Sequence, residues 1–235
     1  MTSHHLASLT IGFPVYGDEG TVEIVANKGL AIGRSLAIPF EVIIVNDCSP
    51  DRSGEIADEL ARRHPEIRVI HHPTNRGYGA AVKSVLRNSR YEWIAITDGD
   101  DQYDLRDLND LVRVAHRYDL VITFRYKKIY STLRMFLSWA YNVVLRFLFR
   151  TRFRDVSTGL RLVHRSVVEA VELESDGNII GAELAIRAML CGFAVGEVGI
   201  KTFPRTFGRS SSVKSRHLAR ALAEVVQMYR SIFRN

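Results

Sequence analysis

Short apolar, β-branched runs that stop abruptly at acidic or amide side chains recur along the first half of this chain, with helical stretches between them. Ser8 to Val15 leads into Pro14-Val-Tyr16-Gly-Asp18-Glu19, and Glu41 to Val45 into Asn46-Asp47. Ile67 to His71 is a third run, followed by the turn Asn75-Arg-Gly77-Tyr-Gly79. Helical patterns cover Thr21–Ser35, Gly54–Arg63, Ala80–Asn88 and 105–116, and a further strand is expected over Leu120–Phe124. Strands alternating with helices predict βαβ units and a mainly parallel, Rossmann-like sheet. In such sheets ligands bind outside the carboxyl ends of the strands, so the polar strand ends should share one crevice.

The central run, Trp93-Ile-Ala-Ile-Thr, ends in Asp98-Gly-Asp100-Asp101-Gln102-Tyr-Asp104. Asp98, Asp100 and Gln102 alternate, so an extended backbone would send their side chains to one side. Two carboxylates and an amide oxygen form a hard, incomplete ligand set. That set suits Mg²⁺ or Mn²⁺ with positions left for phosphate oxygens. A blander reading competes, in which Asp104 caps a helix beginning at Leu105. Asn46 likewise reads as a turn cap as readily as a ligand.

At 235 residues the chain fits one large α/β domain or a domain with an extension. Its two cysteines, Cys48 and Cys191, form neither a disulfide framework nor a metal-ligand spacing, and are expected to stay reduced in the cytoplasm. The N-terminus predicts no secretory leader. The net charge of +6 is unevenly spread. Residues 1–120 carry 13 Lys/Arg against 18 Asp/Glu, and residues 121–235 carry 19 against 8. An acidic half with chemistry and a basic half that meets anions follow from this split. No recognisable RNA module accompanies the basic residues, so nucleic acid is not an expected partner. The Gly77-Tyr-Gly79-Ala-Ala segment lacks the third glycine of a dinucleotide fingerprint, and neither a P-loop nor a serine nucleophile elbow is present.

Six motifs in order resemble family 2 glycosyltransferases of the GT-A fold, in the dolichyl-phosphate mannosyltransferase and polyprenyl-phosphate glycosyltransferase branch. Pro14-Val-Tyr-Gly-Asp-Glu19 resembles an opening Pro-x-Tyr-Asn-Glu, and Val45-Asn-Asp47-Cys-Ser49-Pro-Asp51 resembles Val-Asp-Asp-x-Ser-x-Asp. Asn75-Arg-Gly77-Tyr-Gly79-Ala-Ala matches Asn-x-Gly-x-Gly-x-Ala, and Asp98-Gly-Asp100-Asp-Gln102 resembles Asp-Ala-Asp-x-Gln. Asp155-Val-Ser-Thr-Gly159-Leu-Arg161 and the segment from Glu197 through Phe203, Arg205, Gly208 and Ser210 resemble the branch-selecting motifs. Departures are Asn46 for Asp, Gly199 for Pro, Thr123-Phe124-Arg125 for Gly-Ser-Arg, and Ser211 for Lys.

The resemblance implies a nucleotide-sugar site made by Pro14, Tyr16, Glu19, Asp47, Gly77 and Asp98. It implies a metal held by Asp100 and Gln102 with Asp98 nearby, and an acceptor-phosphate site of Arg125, Arg134 and Ser138. Asp98, Asp100, Arg125 and Arg205 would carry catalysis. The implied donor is a GDP-mannose or UDP-glucose type of nucleotide sugar and the acceptor a polyprenyl phosphate. Residues 1–125 would form the nucleotide-sugar and metal half, 126–216 the acceptor half and 217–235 a C-terminal amphipathic helix, within one GT-A domain. A phosphate acceptor is already an anion, so it needs cations and no general base; transfer is expected with inversion. The alternatives are a soluble relative acting on a sugar or protein hydroxyl, with Asp155 or Glu183 as base, and a non-catalytic nucleotide-sugar binding module.

Residues 131–150 carry the membrane signal. Their charge-free run, Met135 to Leu145, is 11 residues, against about 20 needed to span. Leu133, Phe136, Leu137, Ala140 and Val144 fall at helical spacing with Arg134, Arg146, Arg150, Arg152 and Arg154 alongside or after. An interfacial helix fits this, and so does a core or dimer helix. Leu218 to Phe233 is a second amphipathic candidate. The chain is expected to be peripheral on the cytoplasmic face of a membrane, or to rely on a separate membrane-anchoring subunit.

Overall fold

The computed structural model describes residues 6–127, 132–156, 158–203 and 215–233, apart from the side chains of residues 127, 132–134, 136 and 215–222. Four apolar runs become parallel strands: β1 (Leu9–Val15), β2 (Phe40–Asn46), β3 (Ile67–His71) and β4 (Trp93–Ile96). Every residue of β1 and β4 is buried, as a strand covered on both faces requires. The helices between them are α1 (Val22–Ser35), α2 (Ser53–Arg63) and α3 (Tyr78–Asn88). A 3₁₀ turn, Leu105–Asp107, precedes α4 (Leu108–Ala115), and β5 (Leu120–Lys127) and α5 (Thr132–Phe149) follow. The chain continues through β6 (Arg161–His164), α6 (Arg165–Ala170), α7 (Ile180–Leu190), β7 (Val195–Lys201) and α8 (Ser215–Ile232).

The sheet order is β3-β2-β1-β4-β6-β5-β7. β1 pairs in parallel with both β2 and β4, so successive strands are laid down first on one side of β1 and then on the other. That reversal opens a crevice at the carboxyl ends of β1 and β4. Of the described strands only β6 runs antiparallel, between β4 and β5, with Ile96 opposite Arg161. Its first residue therefore lies at the same sheet edge as the last residue of β4.

Alternate residues of each strand feed two cores. Val42 and Ile44 pack with Leu9, Ile11 and Phe13 under α1, α2 and α4. Ile43 and Val45 pack with Val85, Leu145, Phe149, Leu184, Val225 and Met228 beneath α3, α5, α7 and α8.

Element positions follow the sequence closely in the first half. The predicted helix over 105–116 divides because Asp104 Oδ1 accepts from the Arg106 N–H and caps a 3₁₀ turn first. The sequence reading missed β6 and β7, whose strand character comes from their neighbours rather than their own pattern.

Candidate active site

The first two strands end in loops that brace each other. The Asp18 carbonyl accepts from the Thr21 and Val22 N–H groups at 2.9 Å each and starts α1. The Asp18 N–H donates to Ser53 Oγ (3.0 Å), the Glu19 N–H to Asp51 Oδ2 (3.1 Å), and the Arg52 N–H to Glu19 Oε2 (3.2 Å). Burial pushes the Asp51 carboxyl up, but hydrogen bonds from Ser53 and Glu19 outweigh it and hold the group below the ordinary carboxylate range. Glu19, expected at the nucleoside, is thus exposed and tied to the loop after β2. Tyr16 is also exposed, and Pro14 is buried at the end of β1. Asn46 behaves as a turn cap, its Oδ1 accepting from the Ser49 N–H at 3.0 Å.

Asp47 is buried and already hydrogen-bonded on both carboxylate oxygens. Oδ1 meets His72 Nδ1 at 2.6 Å and accepts the Arg76 N–H at 2.9 Å; Oδ2 accepts the Gly77 N–H at 2.8 Å. Gly77 has φ +96°, and a Cβ there would sit 2.6 Å from the Asp176 carbonyl oxygen, so the position requires glycine.

The acidic segment after β4 departs from expectation. It is not extended: the strand stops at Ile96, residues 99–100 form a turn, and Asp101 takes φ +57°. Strand alternation therefore does not hold, and the three side chains divide. Gln102 Nε2 donates to Asp100 Oδ2 at 2.8 Å, keeping those two together. Asp98 instead accepts from the Tyr78 hydroxyl at 2.7 Å and lies against Gly159, where a Cβ would fall 2.4 Å from its carboxyl carbon. Tyr103 joins the halves, since its hydroxyl accepts the Gly159 N–H at 2.8 Å. Burial first, and the Asp98 charge second, push both the Tyr78 and Tyr103 phenols far up, with Asp100 adding to the effect on Tyr103. Both tyrosines therefore stay neutral hydrogen-bonding groups around the carboxylates. Thr21 Oγ1 holds the turn itself, donating to the Gly99 carbonyl at 2.7 Å. Lys28 pairs with Asp101 at 2.5 Å.

On the far side of the crevice Arg125, from β5, pairs with Asp155. Nε lies 2.8 Å from Oδ2 and Nη2 lies 3.2 Å from Oδ1, with both side chains buried. Asp155 is on the irregular segment that antiparallel β6 brings to this edge. That segment is fixed by Thr158 Oγ1 donating to the Thr123 carbonyl (2.8 Å) and by the Val156 N–H donating to Asn142 Oδ1 (3.1 Å). Neither base considered for a hydroxyl acceptor stands uncommitted. Asp155 is engaged by Arg125, and buried Glu183 accepts from the Glu174 and Ser175 N–H groups and from Arg187 Nε. Ser138 is half-buried on α5, and its carbonyl accepts from Asn142 Nδ2 at 2.8 Å. The Arg134 side chain and the whole of Arg205 lie outside the described residues.

Of the expected apolar stripe of α5, the side chains of Leu133 and Phe136 lie outside the described residues. Leu137 and Ala140 are half-buried and Val144 is exposed, whereas Leu145 and Phe149 enter the core. Met135, Trp139 (58% exposed) and Phe147 (83%) face outward. Phe149 stacks on Phe233 of the α8 segment at 6.2 Å, so the core-facing side is set by that packing. Among the described residues no helix is long and apolar enough to cross a membrane.

Residues 13–171 match the family model described as Glycosyl transferase family 2. The chain belongs to that family. It is a glycosyltransferase, as the motif order implied. An undecaprenyl-phosphate mannosyltransferase of Micrococcus luteus is 29% identical over 194 residues, 77% of this chain and 80% of the relative. A polyprenol monophosphomannose synthase of Mycolicibacterium smegmatis is 32% identical over 200 residues, 78% and 75% of the two chains. The fold is similar to glucosyl-3-phosphoglycerate synthase of Mycobacterium tuberculosis, solved with Mn²⁺, uridine diphosphate and glucosyl-3-phosphoglycerate. The TM-score is 0.71 at 17% identity, covering 94% of this chain and 79% of that one. The GT-A expectation for the fold is met.

Sequence reasoning missed several residues of this candidate site. Tyr78 and Tyr103, which surround Asp98, lie within or next to the glycine-rich and acidic motifs at positions that carry no signal of their own. Asp18 was passed over for Glu19, although it is the residue whose carboxylate approaches Gly99 and accepts the Tyr16 N–H at 3.0 Å. His72 carried no signal, lying one residue beyond β3 and touching Asp47 only in the folded chain.

Proposed function

We propose that this family 2 enzyme transfers a hexosyl group from a nucleotide sugar of the GDP-mannose or UDP-glucose type to a polyprenyl phosphate. The names of the two relatives, mannosyl transfer to undecaprenyl phosphate and polyprenol monophosphomannose synthesis, support the acceptor class. The observation that carries the reading is the meeting, at one sheet edge, of an acidic turn with a buried guanidinium and no uncommitted general base among the described carboxylates considered. Such a site suits an acceptor that is already ionised.

In this reading residues 1–125 handle the donor and the metal, residues 126–216 the acceptor, and residues 217–235 form a C-terminal amphipathic helix. Asp47 and the Gly77 turn receive the nucleoside; Pro14, Tyr16 and Glu19 border it. Asp100 and Gln102 are the residues that would hold Mg²⁺ or Mn²⁺, and Asp98, drawn to Tyr78 and Gly159, would stand near the ribose or the metal. Among the described residues no three His, Cys, Asp or Glu side chains converge on a metal position. That donor set fits an ion completed by phosphate oxygens of the donor. When bound, the ion offsets charge on the departing nucleoside diphosphate.

The protein's own groups then have limited tasks. Tyr78 and Gly159 hold Asp98, Gln102 holds Asp100, and Arg125, Arg134, Ser138 and Arg205 draw the acceptor phosphate in. Its oxygen attacks the anomeric carbon as the bond to the nucleoside diphosphate breaks, with inversion. The outward apolar side chains of α5 and α8 would rest on the cytoplasmic face of a membrane, directly or with a membrane-anchoring subunit.

The test is transfer of label from a panel of nucleotide sugars into the organic phase in the presence of a polyprenyl phosphate and Mg²⁺ or Mn²⁺. Extractable product that disappears in Asp100→Ala is the expected result. Retained anomeric configuration would overturn the displacement, and transfer to water-soluble acceptors alone would overturn the lipid acceptor.

A further inference from the structure

An ionised carboxylate offers about four acceptor positions. On Asp47, which is buried, the two positions of Oδ1 meet His72 Nδ1 (2.6 Å) and the Arg76 N–H (2.9 Å), and one position of Oδ2 takes the Gly77 N–H (2.8 Å). Among the described residues none takes the second position of Oδ2. An acceptor-only carboxylate requires His72 Nδ1 to be the protonated nitrogen. Nε2 lies 2.8 Å from Ser84 Oγ on α3, and the His72 N–H donates to the Asn46 carbonyl at 2.9 Å, so the imidazole is held from its ring and its backbone. The side chain of His72 is as buried as that of Asp47, at 4% exposure each.

We infer that His72 is a positioning residue. By saturating Oδ1 together with the Arg76 N–H, it holds the Asp47 carboxylate in one rotation and presents the remaining Oδ2 position to a base that carries a ring N–H. Uracil and guanine have that donor. Cytosine and adenine present an unprotonated ring nitrogen in its place, so two acceptors would face each other in a buried setting, which is costly. The chain Ser84–His72–Asp47 thus sets which nucleoside diphosphates are admitted. This inference rests on the nucleotide-sugar reading of the site.

Calorimetric titration of the intact protein with UDP, GDP, CDP and ADP in Mg²⁺ tests it. The wild type should bind UDP or GDP tighter than CDP and ADP by roughly tenfold or more, the scale of a hydrogen bond to a charged group. His72→Leu should shrink that ratio by about tenfold, chiefly by weakening the preferred nucleotide. His72→Asn, whose amide N–H can occupy the place of Nδ1, should restore most of it. A merely structural role would weaken all four nucleotides alike and would not be rescued. Should His72→Leu fail to fold, Ser84→Ala decides, with a smaller fall in the same ratio expected. An unchanged ratio in the folded variants, or a wild type that binds all four equally, overturns the role of His72 but leaves the site a nucleotide site. A wild type that binds none of the four overturns the nucleotide-sugar reading itself.

Discussion

Replacing Asp155 with Asn removes the charge that faces Arg125 while keeping nearly the same volume. Both side chains are buried, at 9% exposure for Arg125 and 3% for Asp155, and the closest approach is 2.8 Å. Two unit charges about 4 Å apart attract by about 4 kcal/mol at an effective dielectric constant near 20. Much of that offsets the cost of taking both ions out of water, so the pair contributes little net. Breaking it is different, because the guanidinium loses its matched charge but stays buried, and the typical cost is about 3–5 kcal/mol. Against a domain stability of about 5–15 kcal/mol that loss is large. Urea unfolding should give Asp155→Asn and Arg125→Met each a drop on this scale. The double variant should be less destabilised than the sum of the singles by at least about 1 kcal/mol. Additive losses, or a drop below about 1 kcal/mol for Asp155→Asn, would refute the picture of a mutually dependent buried pair. Arg125 would then be held in place by groups other than Asp155.

Gly159→Ala should cut kcat at least tenfold while changing the melting temperature little, since the added methyl displaces the Asp98 carboxyl rather than core atoms; unchanged turnover would remove Asp98 from the machinery. Asp107 has its carboxyl pushed up to about 6 by burial, with Asp104 and Asp110 adding to it against Arg106 and Lys201. Its folded value exceeds the unfolded one, so the native state holds the proton more tightly, and its contribution to stability is lost as pH rises from about 4 to 6. Asp107→Asn should therefore gain about 1 kcal/mol at pH 7 and nothing at pH 3.5, after allowance for solvent screening, as read from denaturant midpoints. An equal gain at both values would assign it to something other than ionisation. Trp139→Glu with Phe147→Glu should reduce co-sedimentation with anionic liposomes, and added salt should weaken wild-type binding. Unchanged flotation of a variant with Arg146, Arg150 and Arg152 all replaced by Glu would remove the basic flank from membrane contact.

The first half of the fold was legible because its signals are local. Val42 to Val45 are β-branched and apolar, as a strand buried on both faces requires, and the helices between such runs repeat their own apolar spacing. Parallel strands with helical crossovers, and a crevice where they end in Asp47 and Asp98, follow from that pattern and from chain handedness. The motif order added the family, and Asp104 and Asn46 did what their side chains do at any helix start or turn.

Long-range contact decided the rest. Nothing within Arg161 to His164 requires a strand, let alone an antiparallel one; its place between β4 and β5 comes from the hydrogen bonds those neighbours leave open. That insertion carries Gly159 to Asp98 and Asp155 to Arg125, and it turns two separate sequence motifs into one site. The acidic turn could not be read from alternation because Asp101 lies in the left-handed region, a conformation that Lys28 and Thr21 support from α1 and the residue just before it. His72 and Asp47 are 25 residues apart and meet because β2 and β3 pair in register. The sequence by itself determined which elements form and which residue types could do the chemistry. The pairing of those residues was decided only by the tertiary structure, because a hydrogen bond between distant side chains exists only once the sheet sets their distance and excludes water from around them.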